Sequence, residues 1–137
     1  MGSGRHLGQI SAELMITVSA MIALLLAMYI VNDSLRATWD GQKERLEAST
    51  AANQVALAIN RAVAGGDGTV VTFNNMASAS IANITIINQR AVLAETYRGM
   101  GSSTPIITNN TNISGLVPMN REIAVRNIGG VITISES

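Results

Sequence analysis

From Leu14 to Val31 the chain reads LMITVSAMIALLLAMYIV, with no charged residue and only Thr17 and Ser19 bearing hydroxyls. About eighteen helical residues span roughly 27 Å, close to the roughly 30 Å of bilayer hydrocarbon. A helix that is apolar all round must be covered on every side. The rest of a 137-residue chain is too short and too polar to wrap it as a core helix. The run is therefore read as a membrane-length helix whose cover comes from outside the chain. The residues after Val31, Asn32-Asp33-Ser34-Leu35-Arg36, offer no small-x-small site for a general secretory cleavage. The segment is accordingly expected to be retained.

The helical pattern continues past the apolar run. No proline or glycine interrupts Gln9 to Asp40, and Gly41 is the single breaker before Gly65. From Gln42 onward, Ala48, Ala52, Val55, Ile59, Ala62 and Val63 recur at helical spacing and predict one apolar stripe. Lys43, Glu47, Asn53, Gln54, Asn60 and Arg61 fall on the opposite side, and the alternation of Lys43 and Arg45 with Asp40, Glu44 and Glu47 predicts a solvated face. Gly65-Gly66-Asp67-Gly68 then supplies residues that end a helix and begin a turn. The expectation is one helix over residues 9–64, roughly 80 Å long at 1.5 Å per residue, softened or bent at Gly41. Its apolar half is 14–31 and its amphipathic half 42–64.

Beyond Gly68 the composition turns to β-branched residues, Asn, Ser and Gly. Thr69–Phe73, Ile81–Ile87, Ala91–Tyr97 and Pro105–Thr108 are strand candidates. Arg121–Arg126 and Val131–Ser135 alternate well and flank Asn127-Ile128-Gly129-Gly130, a hairpin signal. The fold class that follows is α+β: a long N-terminal hydrophobic helix, then a small antiparallel β head over residues 69–137. A head of about 70 residues without disulfides is marginal alone, and the stripe on the second half of the helix is its natural packing partner.

The motif at the start of the apolar run is Gly8-Gln9-Ile10-Ser11-Ala12-Glu13-Leu14. It resembles the class III signal peptide of archaeal type IV-like pilins, where a prepilin peptidase cuts after Gly and leaves Gln at the new N-terminus. Gln9, Ser11 and Glu13 match the pattern Gln-x-Ser-x-Glu-x-x-x-Leu. Thr17 stands where the pattern has Leu, and the leader has a single arginine, Arg5, in place of a lysine cluster. The resemblance implies a leader over residues 1–8, cleaved between Gly8 and Gln9, although Met1–Gly4 also has the look of a cloning scar. Bacterial type IV pilins usually begin with a methylated Phe and carry a proline in the apolar helix. Archaellins typically open on a Gly-rich stretch. Neither pattern is present here.

The resemblance further implies a homopolymer: a helical filament on the cell surface, serving adhesion to surfaces or other cells. Its subunits wait in the cytoplasmic membrane before assembly. The implied partners are other copies of the chain, a prepilin peptidase and the pilus assembly machinery. Glu13 is the implied assembly residue, with Ser11 beside it. A carboxylate at the edge of an apolar run is expensive to bury unless paired. Cleavage after Gly8 would place an α-ammonium on Gln9, able to neutralise a neighbouring subunit's Glu13. The plainer reading is that Glu13 marks the membrane interface or favours the helix N-terminus.

Other features have plain readings beside functional ones. Ser11, Ser19, Ala23 and Ala27 form a small-residue stripe that allows close helix approach, or are ordinary membrane-segment composition. Met15, Met21 and Met28 suit irregular gaps between helices, or are apolar filler. Tyr29 and Trp39 fit a membrane interface. Asn83-Ile84-Thr85, Asn109-Asn110-Thr111 and Asn112-Ile113-Ser114 are candidate N-glycosylation triplets in the head, and Asn32-Asp33-Ser34 is another beside the membrane.

Nine basic and nine acidic residues leave no net charge, so no electrostatic case exists for nucleic-acid binding. With no cysteine, disulfides, thiolate metal sites and cysteine nucleophiles are excluded. The one histidine, His6, lies in the expected leader, and no Ser–His–Asp set, metal-ligand cluster or phosphate-binding glycine loop is present. No catalytic residue, cofactor or metal is expected, and the chain reads as a structural protein. Two rivals share the hydrophobic run and head. One is a single-pass, membrane-anchored extracellular adhesion or sensor domain, which gives no reason for Gly8-Gln9-x-Ser11-x-Glu13. The other is a minor pilin or secretion-system pseudopilin, which shares the chemistry of the major subunit.

Overall fold

The computed structural model describes residues 4–75, 78–107, 112–115 and 117–137, with the backbone alone from 4 to 10. A single helix, α1, spans Gly4–Ala64. Seven strands follow: β1 (Val70–Asn75), β2 (Ile81–Ile87), β3 (Ala91–Thr96), β4 (Gly101–Pro105), β5 (Asn112–Ser114), β6 (Arg121–Ile128) and β7 (Val131–Glu136). The protein is thus α+β, one long apolar N-terminal helix followed by small, mainly antiparallel sheets, an arrangement consistent with a pilin-like fold. The chain divides into two compact units, Met1–Asp40 and Gly41–Ser137.

The second unit has one core. Along α1, Ala48, Ala52, Val55, Ile59 and Ala62 are buried, as the stripe predicts, and Ala51, Ala56 and Ala58 widen it. Alanine at so many of these positions keeps the contact surface of the helix low. Ile84, Val92 and Ala94 from one sheet and Ile123, Val125, Ile132 and Ile134 from the other complete the same cluster. In β3 and β7 these residues alternate with less buried ones, because successive side chains point to opposite faces, whereas in β6 Ala124, between Ile123 and Val125, is buried as well.

The sheets have the orders β1-β6-β7-β5 and β2-β3-β4. The β6–β7 hairpin closes on Gly129-Gly130, with φ of 60° and 84°. Two consecutive positive φ values define the turn that matches strand twist, and glycine adopts them without steric cost. Ile128 and Val131 pair directly across it. Asn127 is therefore not a turn residue; it is the buried last inward position of β6, only 4% exposed.

Three expectations need correction. The strand expected over Pro105–Thr108 instead runs Gly101–Pro105, where Leu93 and Ala91 of β3 pair with Ser103 and Pro105; position 108 lies outside the described residues. Pairing to β3 overrides the weak strand propensity of Gly-Ser-Ser-Thr. The head is not wholly antiparallel, since β5 pairs with β7 in parallel. The polar side of residues 42–64 is not simply solvated. Glu47 accepts hydrogen bonds from Ser78, at 2.8 Å, and from Ser80. Asn53 Oδ1 accepts from Thr104 at 2.8 Å and Asn60 Oδ1 from the Ile107 amide at 2.8 Å. The head wraps further round the helix than the apolar stripe alone implies.

Candidate assembly segment

In the first unit the helical backbone includes Gly8 and Gln9, and the structure describes the backbone alone at Gln9. Ser11 and Glu13 are exposed. Thr17 donates from Oγ1 to the Glu13 carbonyl at 2.9 Å. That bond satisfies the hydroxyl within its own helix, which is how a threonine is tolerated in an apolar segment. Ser11, Ser19, Ala23 and Ala27 are all exposed, as are Tyr29 and Trp39.

The defining property is the exposure of the apolar side chains. The large ones between Leu14 and Val31 range from 47% exposed at Val18 to 70% at Met15 and Tyr29. This helix is long and apolar enough to cross a membrane, and none of its apolar window is buried within the chain. Full burial of a Leu, Ile, Met or Val side chain is worth about 1.5–3 kcal/mol. A dozen or so such residues, each about half to two-thirds exposed, leave roughly 10–20 kcal/mol unrealised, as much as the roughly 5–15 kcal/mol that stabilises a whole domain. Burial of this surface against lipid or other protein would recover that free energy. Leu24, Ala27, Met28, Val31 and Leu35 line a shallow apolar groove along this helix, with Asn32 at its rim.

In the second unit, Glu44 pairs with Arg98 at 3.2 Å. The Ser80 hydroxyl, then that of Ser78, hold the Glu47 carboxyl below the ordinary glutamate range; partial burial opposes this and Lys43 adds to it. Together these bonds hold the residues leading into β2 and the turn after β3 against the helix. Sequence reading missed them, because partners thirty or more residues away leave no periodic trace. Asn75 and Asn127 were missed for the same reason. Asn75 is fully buried, with Nδ2 donating to the Pro118 carbonyl at 2.8 Å.

Of the candidate glycosylation positions, Asn83 is exposed on β2 and Asn112 is exposed on β5. Asn112 Oδ1 accepts from Gln89 Nε2 at 3.0 Å. Asn109 lies outside the described residues. Among the described residues no group of three or more His, Cys, Asp or Glu side chains is placed to hold a metal. The groove between α1 and β1, about 240 Å³, is lined by Gln54, Leu57, Arg61, Thr72, Phe73 and Asn74 among others and gathers no nucleophile–base set. Comparison with protein families, curated proteins and solved structures finds no match.

Proposed function

We propose that the chain is a structural subunit of an extracellular, archaeal type IV-like pilus, polymerising through the first half of α1 and having no enzymatic activity. The observation that carries this reading is the uncovered apolar helix, continuous in sequence with a helix half that forms the core of a β head. The first half demands cover and the second half supplies a folded cargo. A filament satisfies the demand by packing these helices together, with the membrane covering them beforehand. The motif Gly8-Gln9-x-Ser11-x-Glu13 supplies processing and register. Cleavage after Gly8 exposes the Gln9 ammonium, which pairs with Glu13 of a neighbouring copy inside the filament.

The test is negative-stain microscopy of cells with and without the gene. Surface filaments that vanish on deletion, and that label with antibody to the head, are expected. If the chain is at the cell surface but forms no filament, the reading of a single-pass anchored adhesion or sensor domain replaces this one.

A further inference from the structure

We propose that Asn83 carries an N-linked glycan, and that the outer face of the β2-β3-β4 sheet faces the medium in the assembled state. The inference deepens the extracellular reading above and rests on it.

The strand period sets the geometry. Ile84 points into the core at 3% exposure, while Asn83 is exposed on the opposite face and Thr85 follows it there. The acceptor amide and the hydroxyl that defines its triplet therefore stand side by side. Asn32-Asp33-Ser34 lacks this arrangement. It lies within α1, where residues two apart point about 200° away from one another.

The surroundings of Asn83 are open and polar. Across the sheet its row continues to Glu95 and then to Gly101. Glu95 and Gly101 put a carboxylate and then a glycine in this row, so no large side chain stands up from it beside Asn83. Leu93, the large apolar side chain of the next row, does not project outward. Its Cδ1 would lie 3.3 Å from a Cβ placed on Gly101, so it lies across that bare backbone. Moreover, β2 is an edge of its sheet and its register shifts between Ile81 and Asn83. A glycan there also hinders pairing of this edge with another strand, a hazard that exposed edges must manage.

In the transfer, Asn83 Nδ2 attacks C1 of a saccharide on a polyprenyl phosphate or diphosphate. The N–C1 bond forms, the C1–O bond to phosphate breaks, and the amide loses one proton as the lipid phosphate departs. Trypsin releases residues 62–90, between Arg61 and Arg90, as one peptide with Asn83 as its single triplet asparagine.

The experiment takes the chain from the surface of its native cells, after biotinylation of intact cells has established its location, and maps this peptide by fragmentation mass spectrometry. A saccharide mass on Asn83 is expected, lost completely in Asn83→Gln and Thr85→Ala and kept in Thr85→Ser. Periodate-dependent labelling of that glycan on intact filaments is expected to match labelling after dissociation. Surface chain with Asn83 unmodified overturns the inference and leaves the extracellular reading standing. Retention of the mass in Thr85→Ala also overturns it, and labelling that needs dissociation overturns the face assignment. Chain found only inside the cell overturns both the extracellular reading and the inference.

Discussion

Asn127 Nδ2 donates to the carbonyl of Ala62, 3.1 Å away, and so satisfies the last turn of α1 from a strand 65 positions later. Its Oδ1 accepts from the Gly130 amide at 3.2 Å, so one buried side chain joins the helix terminus to the β6–β7 turn. Helix ends leave carbonyls without intrahelical partners, and a buried one left unpaired costs about 1–3 kcal/mol. Asn127→Ala is expected to destabilise the head by about that much, lowering Tm by roughly 5–15 °C. Asn127→Asp keeps the acceptor for Gly130 but loses the donor to Ala62, and it should recover only part of the loss. Thermal unfolding of the detergent-solubilised chain measures both. An unchanged Tm in Asn127→Ala would show that the bond contributes nothing net.

Glu47 gives the head a pH dependence. The serine donors favour its charged form, so the folded-state pKa lies below the ordinary value of 4.5. A group depressed in this way contributes stability that is complete above its unfolded pKa and is lost as pH falls through the folded value. Wild type should therefore be more stable than Glu47→Gln at pH 7, with the gap closing as pH falls below the ordinary glutamate value and through the depressed folded one. Denaturant titrations of both proteins at several pH values test this, and a gap that widens in acid would reverse the assignment.

Two glycines should respond oppositely to alanine. Gly41 lies within α1, and a methyl group added there would meet nothing within 4 Å. Gly41→Ala should therefore stabilise by about 0.5–1 kcal/mol through helix propensity. Gly115 has φ of 113°, and a Cβ there would stand 2.3 Å from the Ile134 carbonyl oxygen. Gly115→Ala forces β5 away from β7 and should cost at least about 1–3 kcal/mol, on the scale of backbone strain alone. Equilibrium unfolding of the pair decides the signs.

Much of this architecture was legible in the residues. The charge-free run announces itself by composition, the stripe from Ala48 to Ala62 by its helical period, and β6–β7 by alternation around Gly129-Gly130. The missed elements were those fixed by partners instead of by pattern. β5 is the three residues Asn112-Ile113-Ser114 held beside β7, and β4 is a Gly-Ser-Ser-Thr-Pro stretch recruited by β3. Glu44, Glu47, Asn53 and Asn60 carry the polarity of a solvated helix face. Only the folded head brings Arg98, Ser80, Thr104 and Ile107 to meet them. For the assembly segment, sequence locates Glu13 and the apolar run, and the structure adds the exposure of that run and the bond between Thr17 and Glu13.

Glu13 carries the assembly hypothesis most narrowly. Burying an unpaired carboxylate in an apolar filament core costs several kcal/mol after relaxation, and a neighbour's Gln9 ammonium offsets much of it. Glu13→Gln should leave the subunit inserted and still cleavable, yet make surface filaments scarce. Glu13→Val is expected to behave the same way, since removing the burial cost does not restore the attraction. Filament counts and shear yields at wild-type level for either variant would reduce Glu13 to an interface marker.

The most direct measurement of the central claim is the N-terminus of subunits taken from sheared surface filaments, read by intact mass and N-terminal peptide mapping. Pilin-type processing and assembly predict a chain that lacks residues 1–8, begins at Gln9 and retains the whole apolar run through Val31. Assembled subunits that begin at Met1, or at any residue beyond Val31, would contradict it.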